Sequence, residues 1–388
     1  MHNFFLIILD GVGIGELPDA EKYGDKGSNT LCNIANAVGG LSLPNLEKLG
    51  LGNIREINGI KHTSHSQASF GKLTEISKGK DSTTGHWEIS GLFVDTDFSY
   101  FPDGFPDEII NKFLKLTGCK GVLGNKPASG TEIIKELGDE HVKTGFPIVY
   151  TSADSVFQIA AHEDVIPLAR LYEICQITRD KVLSPPLLVG RVIARPFVGA
   201  SANFSRTTNR KDFSLDPPSD TILDVLSRNG ITTVAIGKVN DLFNYRGIRY
   251  KEKTKSNSEG CAKLLVYSSK VKNSFMFANL VDFDVYFGHR NDPKGFARAL
   301  KEFDDFLPSF LDSLDETDAV VITADHGNDP TTPSTDHSRE YTPLLFYRKN
   351  QSGVNLGVRK TFSDIGQTVA EFFNIPNSLK GTGFLTNK

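Results

Sequence analysis

Three apolar runs in this chain end directly in acidic or imidazole side chains, and that pattern restricts the fold more than any other feature. Phe4–Leu9 runs into Asp10 (FFLIILDG), Phe275–Val281 into Asp282, Asp284 and His289 (NLVDFDVYFGH), and Ala319–Thr323 into Asp325 and His326 (AVVITADHGN). Short apolar runs closed by turn residues read as buried strands. Further runs of this kind are Ile148–Thr151, Leu187–Ala194, Thr232–Ile236 and Leu344–Tyr347. Helical periodicity lies between them, at Asp220–Ser227, Glu259–Ser268, Pro293–Leu311 and Ser363–Phe373. Alternating strands and helices predict an α/β fold with a mainly parallel sheet. Ligands of such sheets collect outside the carboxyl ends of the strands, so these groups are expected to converge although they are far apart in sequence.

The donor chemistry fits metal. Downstream, TDHSRE adds His337 beside Asp336. Mixed carboxylate and imidazole donors suit borderline divalent ions such as Mn²⁺ or Zn²⁺. Two such ions about 3.5–4 Å apart clamp the attacking and leaving oxygens of a phosphoryl displacement. Three ligands per ion call for roughly six residues, and Asp10, Asp284, His289, Asp325, His326 and His337 supply them. Alone, an Asp after a strand is a cap or turn former, and a lone His is a hydrogen-bonded structural residue. Three strand-terminal acids with three histidines resist that reading. Asp282 stays open between a supporting and a purely structural role. His2, His62, His65, His141 and His162 fall in no such pattern.

At 388 residues the chain is too long for one core. Residues 98–217 open with FPDGFPDE, carry several arginines and close on a polar segment. They read as a smaller α/β cap domain inserted into a discontinuous core of 1–97 and 218–388. A net charge of −4 gives no reason to expect nucleic acid or an anionic membrane as partner. No run reaches bilayer length, and Asp10 and Gly11 interrupt the first apolar run where a signal peptide would continue. Cys32, Cys119, Cys175 and Cys261 form no CxxC pair, so reduced thiols and a cytoplasmic location are expected. No heptad or repeat suggests assembly, and a monomer is expected.

The segment GKDSTTGHWEISG (79–91) gathers Ser82, Thr83 and Thr84 ahead of GHWEI, where a helix could begin. A hydroxyl at a helix N-terminus faces unpaired N–H groups and the positive end of the helix dipole, both suited to phosphate. The plain reading is a cluster of caps. Beside metal ligands, a metal-activated hydroxyl nucleophile accounts for it better.

LDGVGIGELPDA, GKDSTTGHWEISGL, GNKPASGTEII, YTSADSVFQIAAHE, GRVIARPFVG, NLVDFDVYFGHR and TADHGNDPTTPSTDHSREYTPLL are together similar to the phosphopentomutases, a family of the alkaline phosphatase superfamily. The resemblance spans essentially the whole chain. It implies an alkaline-phosphatase-like core with an inserted cap, two divalent ions (Mn²⁺ foremost), and interconversion of ribose or 2-deoxyribose 1-phosphate with the 5-phosphate. Carried over, Asp284, His289 and His337 would hold one ion, and Asp10, Asp325 and His326 the other. The family commonly has Thr where Ser82 stands. Ser82 is taken as the nucleophile with Thr83 as the fallback, and the missing methyl loosens rotamer control. Arg191, Arg206 and Lys238 would meet the distal phosphate, and Asp154 the sugar hydroxyls. A metal-dependent phosphomonoesterase or phosphodiesterase on the same core would share every ligand. A sugar-phosphate binding protein on a degenerate scaffold is opposed by the competent residue at each ligand position.

Overall fold

The computed structural model describes residues 2–96, 98–152, 155–184 and 187–385. In chain order the strands are β1 (Asn3–Leu9), β2 (Ala68–Leu73), β3 (Leu123–Pro127), β4 (Ile148–Thr151), β5 (Val156–His162), β6 (Arg191–Val198), β7 (Ser205–Arg206), β8 (Lys211–Ser214), β9 (Thr232–Ile236), β10 (Tyr250–Glu252), β11 (Ser274–Leu280), β12 (Ala319–Thr323), β13 (Thr342–Arg348) and β14 (Asn355–Arg359). The helices are α1 (Thr30–Val38), α2 (Pro44–Leu49), α3 (Leu51–Ile54), α4 (Ser82–Ile89), α5 (Asp107–Thr117), α6 (Gly130–Thr144), α7 (Leu168–Ile177), α8 (Ile222–Arg228), α9 (Val239–Leu242), α10 (Asn257–Lys270), α11 (Pro293–Asp312) and α12 (Ser363–Phe372). Two compact units result, one of residues 1–95 and 217–388 and the other of 96–216.

The larger unit is built on a sheet ordered β10-β9-β11-β1-β12-β13-β2-β14. β10, β9, β11, β1 and β12 run parallel, β13 is antiparallel to both neighbours, and β2 with β14 resumes the common direction. This is the α/β, mainly parallel arrangement expected of an alkaline-phosphatase-like core. β1 is wholly buried because it lies mid-sheet with helices on both faces. Phe5, Ile7 and Leu9 join the cluster that includes Leu31, Leu46, Leu264 and Phe303. Phe4, on the other face, meets Phe372 of α12 edge-on at 5.2 Å. Register pairs Leu9 with Leu280 and Ile8 with Thr323. The residues that follow these strands therefore leave the sheet along one edge.

The smaller unit carries a second sheet ordered β3-β4-β5-β6-β7, with β8 also paired to β6. Alternate residues of β6 divide between two cores. Val192 and Ala194 pack with Phe113, Phe157 and Leu171, whereas Phe197 packs with Ile133, Ile134 and Tyr150. One strand expectation shifts: Leu187–Ala194 is replaced by Arg191–Val198. The carbonyls of Leu183 and Val189 accept from the buried Arg179 guanidinium, so this stretch is fastened by a side chain rather than a ladder. Pairing with β5 begins only at Arg191.

Buried Asp304 fastens the short helix α2 to α11. Its carboxylate accepts from Asn45 N at 3.0 Å, Leu46 N at 2.7 Å and Asn45 Nδ2 at 3.1 Å. Leu43, the residue before that helix, offers no side-chain cap. Asp304→Ala is expected to cost about 1–3 kcal/mol, the range for losing a cap or leaving buried donors unpaired. Urea denaturation of the two proteins measures it.

Candidate metal centre

The site lies along the carboxyl edge of the larger unit's sheet. Asp10 follows β1, Asp284 lies just past β11, and Asp325 and His326 follow β12. Because those three strands are adjacent and parallel, their acids meet. Asp10, Asp325 and His326 place donor atoms within 4.8 Å of one another, and so do Asp284, His326 and His337. His337 reaches the edge from the opposite direction, on the loop leading into antiparallel β13. His289 adds to the second group, with Nε2 3.2 Å from Asp284 Oδ2, and its ring lies 4.8 Å from that of His337. All six predicted ligands thus fall in one continuous cluster.

Asp10, Asp325 and His326 are at most 1% exposed, and Asp284 is 3% exposed. Burying that many carboxylates is costly unless cations or donors compensate. Asp10 Oδ1, Asp325 Oδ2 and His337 Nε2 are enclosed without a hydrogen bond in bonding geometry. Such orphaned oxygens and imidazole nitrogens are the donors that divalent ions such as Mn²⁺ accept, and the residues present fit two ions.

Within the cluster the acids and imidazoles shift one another's titration. Burial would lower the His326 pKa, but Asp325, Asp10 and Asp284 outweigh it and raise it to about 10. Burial would likewise raise Asp284, yet His337 and His289 hold it well below the usual carboxylate range. Asp325 is also depressed, its burial overridden by His326, His86 and Lys238.

Helix α4 begins at Ser82, three residues earlier than GHWEI suggests. Asp81 is the reason: its carboxylate accepts from Thr83 N, Thr84 N and Thr84 Oγ1. With Asp81 capping, Ser82 Oγ is left to face the cluster, 3.1 Å from His326 Nε2. Thr83, the fallback nucleophile, gives its backbone N–H to that cap. Gly85 allows the close approach, since a Cβ there would collide with the Asp325 carbonyl.

Lys238, expected at the distal phosphate, belongs to this cluster in the structure. Its Nζ lies 2.5 Å from Asp10 Oδ2 and 2.6 Å from Ser82 Oγ. It follows β9, the strand beside β11, and so leaves the sheet on the same edge. VAIGK is a fourth apolar run ending in a charged group, and that signal was available in the sequence. Burial works against its charge, but Asp10, Asp284 and Asp325 override this and raise its pKa.

Arg191 opens β6 in the smaller unit, with NH1 3.5 Å from Asp212, and Arg206 closes β7. Asp154 lies outside the described residues. Asp282, left open above, accepts Asn257 N at 2.7 Å at the start of α10.

Several supporting residues escaped the sequence reading. His86, one turn after Ser82, points Nδ1 at Ser82 O (2.8 Å) and at Asp325 Oδ2 (3.1 Å). Asn279 Nδ2 reaches its Nε2 at 3.2 Å, which leaves the ring proton on Nδ1. Asn328 Nδ2 donates to Asp284 Oδ1 at 2.7 Å. The Arg339 guanidinium, 3% exposed, pairs with Glu75 and Asp19 and donates to the carbonyls of Glu75, Ser77 and Gly79. It thereby ties the segment before Ser82 to the loop carrying His337. Glu88 braces the same segment by accepting from Ile76 N and Ser77 N.

Comparisons with known proteins bear on this geometry. Residues 2–377 match the model of the Metalloenzyme superfamily. The phosphopentomutase of Dictyoglomus thermophilum is 57% identical over 387 residues, covering 100% of this chain and 98% of that protein. The phosphopentomutases of Clostridium kluyveri (54%, covering 100% of both chains) and Clostridium acetobutylicum (53%, covering 99% and 98%) are similarly near. The solved structure of the PH0037 protein from Pyrococcus horikoshii shares the fold, with a TM-score of 0.51, 16% identity, and coverage of 98% of this chain and 99% of that one.

Metal uptake at pH 7 is expected to release a proton, because His326 must give one up to bind. Calorimetric titration with Mn²⁺ in buffers of different ionisation enthalpy measures that release, and affinity should weaken as pH falls. In chelator-stripped protein, the raised His326 pKa contributes stability present below about 6.5 and lost as pH rises toward 10. Thermal melts over that window check the sign. Gly85→Ala should weaken Mn²⁺ binding by displacing the Asp325 backbone, which the same titration reads.

Matched along its full length by relatives at 53–58% identity, and by the Metalloenzyme model over all but its ends, the chain belongs to the phosphopentomutase family.

Proposed function

We propose that the protein interconverts ribose 1-phosphate, or its 2-deoxy counterpart, with the 5-phosphate through a phosphoenzyme on Ser82 and a 1,5-bisphosphate intermediate. The observation that carries this reading is the position of Ser82 Oγ, between Lys238 Nζ and His326 Nε2 at the mouth of the acid cluster. Full-length kinship with phosphopentomutases supplies the substrate class.

Asp10, Asp325 and His326 would hold one divalent ion and Asp284, His289 and His337 the other. When bound, the ions supply Lewis-acid activation of a hydroxyl nucleophile and neutralise charge on the transferring phosphoryl group. Mn²⁺ is the proposed occupant, since two carboxylates with one imidazole, and one carboxylate with two, are donor sets it accepts.

Phospho-Ser82 would donate its phosphoryl group to the free hydroxyl of the incoming pentose phosphate. The Oγ–P bond breaks, the sugar O–P bond forms, and the hydroxyl proton passes to Oγ. The bisphosphate then returns its other phosphate to Ser82, so neither water nor free phosphate enters the balance. Lys238 stabilises negative charge on Oγ as that bond breaks and re-forms. Asp81 fixes the first turn of α4 and with it the direction of Oγ. Arg191 and Arg206, both on the smaller unit, are assigned the distal phosphate, where guanidinium forks suit bidentate binding. Asp154 is assigned the sugar hydroxyls. Among the described residues no helix is long and apolar enough to cross a membrane. A small-molecule substrate met in the cytoplasm by a monomer completes the reading.

The test is an assay with Mn²⁺ and α-ribose 1-phosphate that follows ribose 5-phosphate and free phosphate together. Isomer without phosphate release is expected, and Ser82→Ala should lower turnover by about 10³-fold or more. Release of phosphate without isomer would make the protein a phosphomonoesterase. Undiminished turnover in Ser82→Ala would move the nucleophile to Thr83. Lys238→Met should depress kcat more than it raises KM, because its partner is the nucleophile.

A further inference from the structure

Glu340 lies between His337 and β13 and is 1% exposed, yet the proposed phosphoryl transfer gives it no part. Its carboxylate accepts four hydrogen bonds, all from neutral donors. Oε2 takes Gly15 N at 3.0 Å and Thr30 N at 2.9 Å, while Oε1 takes Thr30 Oγ1 at 2.7 Å and Ser338 Oγ at 2.8 Å. Burial pushes the carboxyl up to about 7, and the four donors work against that shift. A carboxylate this deep is costly, and among the described residues no ion pair offsets it. What it gains is a junction between segments far apart in sequence.

Gly15 lies on the loop that follows Asp10, and Ser338 adjoins His337. Thr30 opens α1 and passes the contact on, because its Oγ1 donates to Glu340 and accepts from Asn328 N at 3.2 Å. Asn328 stands just past His326, and its Nδ2 donates to Asp284 Oδ1 at 2.7 Å. A line of hydrogen bonds therefore runs from Glu340 through Thr30 and Asn328 to Asp284. Backbone bonds reinforce it: Gly327 and Ser338 exchange contacts of 3.1 and 2.8 Å, and Asn328 N also donates to Gly11 O at 2.8 Å. Space for the carboxylate is left by two glycines of the motifs DGVGIG and DHGN. A Cβ on Gly13 or Gly327 would collide with the Glu340 side chain.

We propose that Glu340 is a positioning residue for the phosphoryl transfer: it holds the loops carrying Asp10, His326 and His337 at the spacing two divalent ions require, and reaches Asp284 through Thr30 and Asn328. The inference rests on the assignment of these side chains as ligands of two ions. Glu340 touches neither ion nor substrate. It acts by joining loops that leave different strands, so that the ligands need not be drawn together at the expense of metal affinity.

Calorimetric titration of the chelator-stripped, full-length protein with Mn²⁺ alone tests the role, with Glu340→Gln, Thr30→Val and Thr30→Ser alongside. Expected is an affinity about tenfold or more weaker in Glu340→Gln, severalfold weaker in Thr30→Val, and near that of the parent in Thr30→Ser, which keeps the hydroxyl. The visible absorption of the Co²⁺-loaded proteins reads ligand geometry directly, and its bands should shift in the two weakened variants and return in Thr30→Ser. Thermal melts in EDTA show which variants keep the fold; Thr30→Val, which removes a hydroxyl and no charge, decides the matter if Glu340→Gln does not fold. Parent-like Mn²⁺ affinity and Co²⁺ bands in Thr30→Val and in folded Glu340→Gln overturn the proposal, whatever happens to the melts, and leave Glu340 a clamp of the fold alone. Asp325→Asn separates the two readings. Parent-like Mn²⁺ affinity there overturns the ligand set and the inference with it, whereas a loss there without one in Glu340→Gln and Thr30→Val overturns the inference alone.

Discussion

Buried carboxylates at one sheet edge are the constraint around which the larger unit is arranged. Asp10, Asp284 and Asp325 are at most 3% exposed and converge from three adjacent parallel strands. Such a concentration of negative charge is stable only when countered, and every nearby group answers to that need. His289, His326 and His337 approach with imidazole nitrogens, and Lys238 brings an ammonium group. Divalent ions would meet the same demand with stronger bonds and would take the place of the proton on His326. Charge compensation and the proposed catalysis would thus draw on the same residues.

Ser82, the proposed nucleophile, is positioned by a separate set of contacts. Ser82 lies on a segment that leaves the sheet after β2 and must be tied to the loops that follow β12. Arg339 supplies that link, binding carbonyls of the Ser82 approach while standing two residues from His337. Lys80 adds a second link, bonding Asp25 and lying 3.2 Å from Asp336, the neighbour of His337. His86 forms a third, between Ser82 O and Asp325. With several buried, charge-assisted bonds holding one loop, the serine rotamer rests less on its own side chain. That offsets the rotamer freedom a Ser has and a β-branched Thr would lack.

The smaller unit is arranged on a different principle. Arg195, Arg206 and Arg210 line one cavity there, beside Thr131 at the start of α6. Where the larger unit stacks acids that call for cations, this unit gathers guanidinium groups that call for an anion.

Much of the core was legible in the sequence because its strands obey a simple rule. A run buried on both faces must be continuously apolar, and a functional residue can appear only where the run ends; FFLIILD, VITADH and NLVDFD follow that rule. Asp10, Asp284, Asp325 and His326 could be named from it. His337 could be named only through its neighbours in TDHSRE, since it enters on an antiparallel strand. The boundary of β6 was misplaced because a buried arginine, not a ladder, satisfies the carbonyls ahead of it. Lys238 was named as a phosphate contact by resemblance alone, and its place beside Asp10 was not legible, because the pairing of β9 with β11 joins residues some 40 positions apart. His86, Asn279, Asn328 and Arg339 gain meaning only from partners distant in sequence. The sequence by itself determined which groups stand at the ends of buried strands, because burial leaves a local apolar signature. Strand order, the buckle at Arg339 and the grouping of arginines around α6 were decided by tertiary structure, because they depend on contacts that leave no local trace.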